Sequence, residues 1–292
     1  MLAGFFIIKT RSQILEKKKT IAIQGFAGCF HEVAAQQFFG KQVAFYNCAT
    51  FTELAVQTAK GILADAAVMA IENSIAGSIL PNYELIQRNN LVIMGEIYLP
   101  IRQQLLAKKG VQLSEITEVH SHPMALQQCS TFLNKFNLKL VESDDTALSA
   151  KMVAQRKDKH VAAVASLQAA SLYGLDVIGK NIHNEKTNYT RFLVLSKQSY
   201  ATLNSGANKM SVKFSVDNSR GSLSKTLSSI AKANGNLTKL QSFPIPGGNW
   251  QYAFYADVEF ANEKIFSKLL KAIQLTSTQF QLLGVYVSGL KK

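Results

Sequence analysis

The chain has 292 residues, 47% hydrophobic and 17% charged, with a formal net charge of +13. That length and apolar share argue against a disordered chain and leave room for one large domain or two ordinary ones. No apolar run reaches the roughly 18–20 residues of a membrane-spanning helix, and residues 2–8 lack the basic flank and cleavage site of a secretory signal. Three cysteines (Cys29, Cys48, Cys129) without C-x-x-C spacing imply neither a disulfide framework nor a zinc site, and fit a reducing cytoplasm. The positive charge first points to nucleic acid, but it is unevenly spread: +4 in residues 1–20, +2 in 21–197, +1 in 198–209 and +6 in 210–292. A nearly balanced middle section, with no aromatic RNA-binding strand and no helix-turn-helix pattern, argues against a polyanion partner. The Lys17-Lys18-Lys19 run reads as a solvated tail.

In chain order, residues 21–25 (IAIQG) form a short buried strand, and the Gly-containing turn at 25–28 leads to a helix at 30–39. Further strands are expected at 42–46, 65–71, 91–95, 138–142, 161–165 and 191–195. Helices are expected near 51–61, 78–89, 123–136, 146–156 and 166–173. Alternation of this kind is the α/β pattern. The stretch 96–107 is partly apolar with no good helical face and reads as a crossing between two lobes. Residues 198–209 are polar and rich in Ser, Asn and Gly, so they read as a linker. Beyond it, Val212, Phe214 and Val216 alternate as in a half-buried strand. Leu223, Leu227, Ile230 and Ala231 share one helix face, with Asn218 or Ser219 as its cap. Strands at 236–242, 250–260 and 280–287 and a helix at 262–273 complete a β-α-β-β-α-β series, the ferredoxin-like unit.

Three polar clusters carry candidate chemistry. Glu72-Asn73-Ser74 closes a strand before a helix, an arrangement able to receive a carboxylate on backbone N–H groups and on Asn73 and Ser74. His120-Ser121-His122-Pro123 opens a helix holding Gln128; with no third ligand nearby, metal binding is not implied. Thr190-Arg191-Phe192 begins a strand, and Arg191 is suited to a bidentate carboxylate pair.

Taken in order, Gly25-Phe26-Ala27-Gly28-Cys29-Phe30, Ile71-Glu72-Asn73-Ser74, Ser121-His122-Pro123 with Gln128-Cys129, and Asn188-Tyr189-Thr190-Arg191-Phe192 closely resemble the prephenate dehydratase family. The resemblance runs from about residue 20 to 197, and Gly221-Ser222-Leu223 in the C-terminal unit resembles the ACT regulatory domain of that family. It implies a two-lobed α/β catalytic domain (20–197) like type II periplasmic binding proteins, an N-terminal extension (1–19), a linker (198–209) and an α+β ACT domain (210–292). It implies conversion of prephenate to phenylpyruvate with release of CO2 and water, in phenylalanine synthesis, without metal or organic cofactor. Thr190, Asn73, Ser121 and Gln128 would be catalytic. Arg191, Glu72, Ser74, Gly28 and Phe192 would bind the dianionic substrate. Asn218, Gly221, Ser222, Leu223, Gln241 and Ser242 would form the allosteric site for L-phenylalanine in a homodimer or homotetramer. Two departures stand out. The family's Gly-Pro-x-Gly-Thr-Tyr-Ser loop has Cys29, Phe30 and His31 in place of its hydroxyls, and its Glu-Ser-Arg-Pro reads Gln241-Ser242-Phe243-Pro244. The competing readings are an arogenate dehydratase, a non-catalytic amino-acid sensor and a basic nucleic-acid binder.

Overall fold

The computed structural model describes residues 18–197, 206–245, 247 and 251–289. Expectations about residues 1–17 and most of the linker (198–205) lie outside these. The chain starts with β1 (Thr20–Gln24), α1 (Phe30–Phe39), β2 (Ala44–Cys48), α2 (Phe51–Lys60), β3 (Ala66–Asn73), the two-residue β4 (Gly77–Ser78), α3 (Leu80–Arg88) and β5 (Val92–Pro100). The second lobe holds β6 (Gln104–Ala107), β7 (Glu118–Ser121), α4 (Pro123–Gln128), α5 (Ser130–Leu133), β8 (Lys139–Glu142), α6 (Thr146–Gln155), β9 (Val161–Ala165), α7 (Leu167–Tyr173) and β10 (Asp176–Gly179). Then β11 (Tyr189–Ser196) returns to the first lobe and inserts between β5 and β3, antiparallel to both. The second lobe has its own sheet, in the order β10-β6-β9-β7-β8. Two segments cross between lobes, residues 101–103 and 180–188.

Composition explains the strands that were legible. β1, β3 and β9 are runs of Ala, Ile, Val and Met, buried almost throughout because helices cover both sheet faces. Strands β6, β7 and β10 were not anticipated: each has four residues and no alternation that sets it apart from its flanks. The helix expected over 123–136 is broken at Cys129, whose backbone leaves helical values (φ −110°, ψ 7°). Asn184 fills the break. Its backbone N–H donates to the Gln128 carbonyl (2.7 Å), its Nδ2 to the Gln127 carbonyl (3.3 Å), and its Oδ1 accepts from the Thr131 N–H (3.0 Å).

The C-terminal unit runs β12 (Lys209–Ser215), α8 (Ser222–Lys232), β13 (Asn236–Pro244), β14 (Tyr252–Glu259), α9 (Glu263–Thr276) and β15 (Gln279–Tyr286). The strand order β13-β14-β12-β15, antiparallel throughout, is the ferredoxin-like arrangement. Neither Asn218 nor Ser219 caps α8. The N-cap is Gly221, at φ +83°, where a left-handed backbone suits glycine; the Ser219 hydroxyl meets that of Ser222 instead (2.6 Å). Ile230, Phe266, Leu269 and Ile273 pack α8 and α9 on one face of this sheet. The other face, with Tyr255, Leu283 and Tyr286, packs on Tyr83 and Ile86 of α3. Gly284 of β15 lies opposite Ile93 of β5, and a Cβ at Gly284 would sit 2.1 Å from the Ile93 carbonyl oxygen. Only glycine permits this approach, which fuses the two units into one ten-stranded sheet.

Candidate active site

Thr190 and Asn73 face each other across the β11–β3 ladder. The Asn73 carboxamide organises this corner. Its Oδ1 accepts from the backbone N–H groups of Ile75 (3.0 Å) and Ala76 (2.9 Å), closing the turn after β3. Its Nδ2 donates to Asn188 Oδ1 (2.7 Å), to the Tyr189 carbonyl (3.1 Å) and to Thr190 Oγ1 (3.1 Å). Asn188, only 1% exposed, then donates from its own Nδ2 to Gln128 Oε1 (3.2 Å). A chain of four side chains, Thr190–Asn73–Asn188–Gln128, thus runs from the first lobe through the crossing segment to α4 of the second. Beside it lies a cavity of about 280 Å³ lined by Ile75 and Ala76 from the first lobe, by Met124, Gln127 and Gln128 of α4, and by 183–185 and Asn188 of the crossing.

Asn73 supplies a donor to the Thr190 oxygen, so the Thr190 hydroxyl hydrogen is free to be donated to a ligand. His183, on the cavity wall, is 4% exposed, and its Nδ1 has no hydrogen-bond partner among the described residues. Burial first, then the charges of Lys186 and Arg102, push its pKa below the usual histidine range, which keeps the ring neutral at pH 7.

A family model for prephenate dehydratase matches residues 21–200. The chain belongs to the prephenate dehydratase family. Its activity is accordingly that of this dehydratase family, a carbon–oxygen lyase. Among curated relatives it is 37% identical over 276 residues to arogenate dehydratase/prephenate dehydratase 2 of Arabidopsis thaliana, covering 91% of this chain and 72% of that one. It is 41% identical to arogenate dehydratase 2 of Petunia hybrida, spanning 77% of this chain and 57% of the relative. The bifunctional chorismate mutase/prephenate dehydratase of Escherichia coli K12 is 34% identical, over 92% of this chain and 70% of its own. Solved structures that cover 92% of the chain include two that are more than 25% identical to it. One is GqqA, described as a novel type of quorum quenching acylase, with TM-score 0.83, 31% identity and 98% of that chain covered. The other is the prephenate dehydratase of Arthrobacter aurescens in complex with L-Phe, with TM-score 0.81, 26% identity and 90% of that chain covered.

Within this dehydratase scaffold several expected substrate contacts lie elsewhere. Arg191 is 4% exposed and faces the C-terminal unit. Its Nε donates to Glu96 Oε2 (2.7 Å), and its Nη1 pairs with Asp257 Oδ2 (2.5 Å). Strand alternation explains the correction: if Thr190 faces the cleft, its neighbour faces away. Glu72 faces the same way, paired with Lys239 at 2.7 Å. Ser121 is fully buried, and its hydroxyl donates to the Val164 carbonyl (2.6 Å), pinning β7 to β9. Phe192 is core, 1% exposed, with its ring edge-on to His31. The Ser74 hydroxyl is spent on the Thr187 carbonyl (3.1 Å) and the Tyr189 N–H (2.9 Å). Of the backbone N–H groups in this loop, those of Ile75 and Ala76 are taken up by Asn73 Oδ1.

The glycine loop serves as a clasp between lobes. The Gly28 N–H donates to Glu32 Oε2 (2.7 Å), and its carbonyl accepts from the Ser166 hydroxyl at the start of α7 (2.6 Å). A Cβ at Gly28 would lie 3.0 Å from Ala169 Cα. Tyr173 of α7 donates to the Ala27 carbonyl (2.8 Å). In the same loop, burial pushes the Cys29 thiol up to about 12 and the His31 imidazole down to about 3. Neither supplies a thiolate or an imidazolium at neutral pH. Asn188 and His183 were not anticipated as site residues; an Asn two positions before a strand-start Thr carries no distinctive spacing.

Proposed function

We propose that prephenate enters by the cavity lined by Gln128 and Asn188, at the far end of the hydrogen-bonded chain from Thr190, and that the Thr190 hydroxyl donates a hydrogen bond to the departing ring hydroxyl. The electron pair of the ring–carboxylate bond moves into the ring as CO2 leaves. The C–O bond breaks, the oxygen departs as hydroxide and takes up a proton to become water, and the ring becomes aromatic. Aromatisation supplies the driving force, so the protein's part is to fix the pose and stabilise charge on the leaving oxygen. A free Thr hydroxyl is a weak acid, and hydrogen-bond stabilisation suits it better than full proton transfer. The observation that carries this reading is the Asn73 Nδ2–Thr190 Oγ1 hydrogen bond, which orients the hydroxyl. Gln128 and Asn73 act with it as orienting groups. The chemistry calls for no metal or organic cofactor. Incubating the purified chain with prephenate and detecting phenylpyruvate tests the reading; no product at high enzyme concentration overturns it.

A second reading is arogenate as substrate, with an amine in place of the keto group. It is favoured by the plant relatives named arogenate dehydratases, at 37% and 41% identity. The ratio of kcat/KM on the two compounds decides between them. The likeness to GqqA raises acyl hydrolysis; Cys29, Cys48 and Cys129 are all buried with their thiols pushed up to about 12, which argues against a cysteine nucleophile for such a step.

The C-terminal unit is read as an ACT regulatory domain that takes L-phenylalanine, within a cytoplasmic homodimer or homotetramer. Its ferredoxin-like topology supports this, as does the L-Phe complex of the Arthrobacter aurescens relative. The register Ser215–Ala253–Phe243 places the turn holding Asn218, Gly221, Ser222 and Leu223 at the same end of the sheet as Gln241 and Ser242. Millimolar L-phenylalanine is expected to raise the melting midpoint and to lower kcat. An unchanged midpoint together with an unchanged rate would rule the effector out.

A further inference from the structure

We infer that Arg191 is a positioning residue for Thr190, and that Asp257 is the contact through which the C-terminal unit holds it. This rests on the role proposed for the Thr190 hydroxyl. Thr190 and Arg191 are consecutive on β11, paired with Asn73 and Glu72 on β3 and with Leu99 and Tyr98 on β5. Immediately after them the β3 ladder slips. Phe192 lies opposite Ala70, so Ile71 is left without a counterpart. Such a bulge loosens the local pairing and leaves the orientation of the neighbouring side chains to other contacts.

For Arg191 those contacts are unusually complete. Glu96 Oε2 accepts from its Nε (2.7 Å) and is ion-paired with its Nη2 (2.6 Å), Asp257 Oδ2 is ion-paired with Nη1 (2.5 Å) without hydrogen-bond geometry, and the Tyr286 hydroxyl accepts from Nη2 (3.3 Å). The planar guanidinium is clamped in a fixed direction, away from the cleft. With Arg191 clamped on one face, Thr190 is committed to the other. Glu96 belongs to β5 of the catalytic part, whereas Asp257 and Tyr286 belong to the C-terminal sheet. There, the Ser211 hydroxyl on β12 reaches both Asp257 Oδ1 (2.5 Å) and the Tyr286 hydroxyl (2.6 Å). A displacement of the C-terminal sheet against β5 therefore pulls on the residue adjoining Thr190.

The test is Asp257→Asn in the full chain, with kcat and KM on prephenate, made alone and on a Thr190→Ala background. Asn keeps the volume and one acceptor but loses the charge. If Asp257 acts through Thr190, kcat falls about tenfold with KM within about twofold, and no further loss appears on the Thr190→Ala background. Unchanged kcat, a loss carried by KM, or two losses that multiply would each overturn the inference, because a merely structural contact predicts additivity. If Asp257→Asn does not fold by circular dichroism, Tyr286→Phe, which deletes only a hydroxyl, is judged by the same criteria. A wild-type chain inert on prephenate and on arogenate overturns the functional reading and this inference with it; an active wild type with an unaltered variant overturns the inference alone.

Discussion

Thr190→Ala is expected to lower kcat on prephenate by about 10²–10³-fold, the loss seen when one preorganised donor to a developing oxyanion is removed. KM should stay within a few-fold, since the groups that orient the substrate remain. The fold should survive. Thr190 is only half-buried, and Asn73 Nδ2 keeps its hydrogen bonds to Asn188 and to the Tyr189 carbonyl. Thr190→Ser, which restores a hydroxyl, should recover most of the rate. Steady-state kinetics on the three proteins decide the matter; near-normal turnover by the alanine variant would remove Thr190 from the chemistry.

Glu96→Ala is expected to be the most destabilising single change at the contact between the two units, at about 3–5 kcal/mol, because it strands buried cations. The Glu96 side chain has no solvent exposure and accepts from Arg191, from Lys209 Nζ (2.9 Å) and from the Gly289 N–H (3.0 Å). Lys209 is itself 1% exposed, and Arg191 4%. Without Glu96, Lys209 has no remaining carboxylate partner among the described contacts, and Arg191 keeps Asp257 alone at close range. Urea denaturation of the variant beside the wild type measures the difference. A loss below about 1 kcal/mol would mean that the cluster is far better hydrated than its burial indicates.

The order of elements was legible because long apolar runs and helical faces are properties of consecutive residues. Residues 161–165 and 30–39 could hardly be anything but a strand and a helix. The short strands β6, β7 and β10 and the break at Cys129 were hidden. Their causes are contacts with residues far along the chain, such as Asn184 reaching back to α4. At the site, Thr190, Asn73 and Gln128 do come together, joined through the unanticipated Asn188. Arg191 shows why motif reading overreached. A Thr-Arg pair at a strand start looks like two ligands for one anion, yet adjacent strand residues point to opposite faces, and the second face is covered by the C-terminal unit, whose Asp257 lies far along the chain. Ser121, Phe192 and Gly28 lie in packing contacts for a related reason: their motif positions fall where lobes and strands meet, and only burial reveals that.

The glycine approach at Gly284 and the four buried charges of Glu96, Arg191, Lys209 and Asp257 bear on how freely the two halves of this chain can be exchanged. A C-terminal unit grafted from a relative would have to bring its own Lys and Asp at matching heights on β12 and β14, and a residue without a side chain on its last strand. Short of that set, the chimera would bury an unbalanced charge or push β15 off β5. Modularity, often assumed when a regulatory unit is appended to an enzyme, is here restricted by the chemistry of one seam: the halves are separable in sequence but matched as a pair in charge.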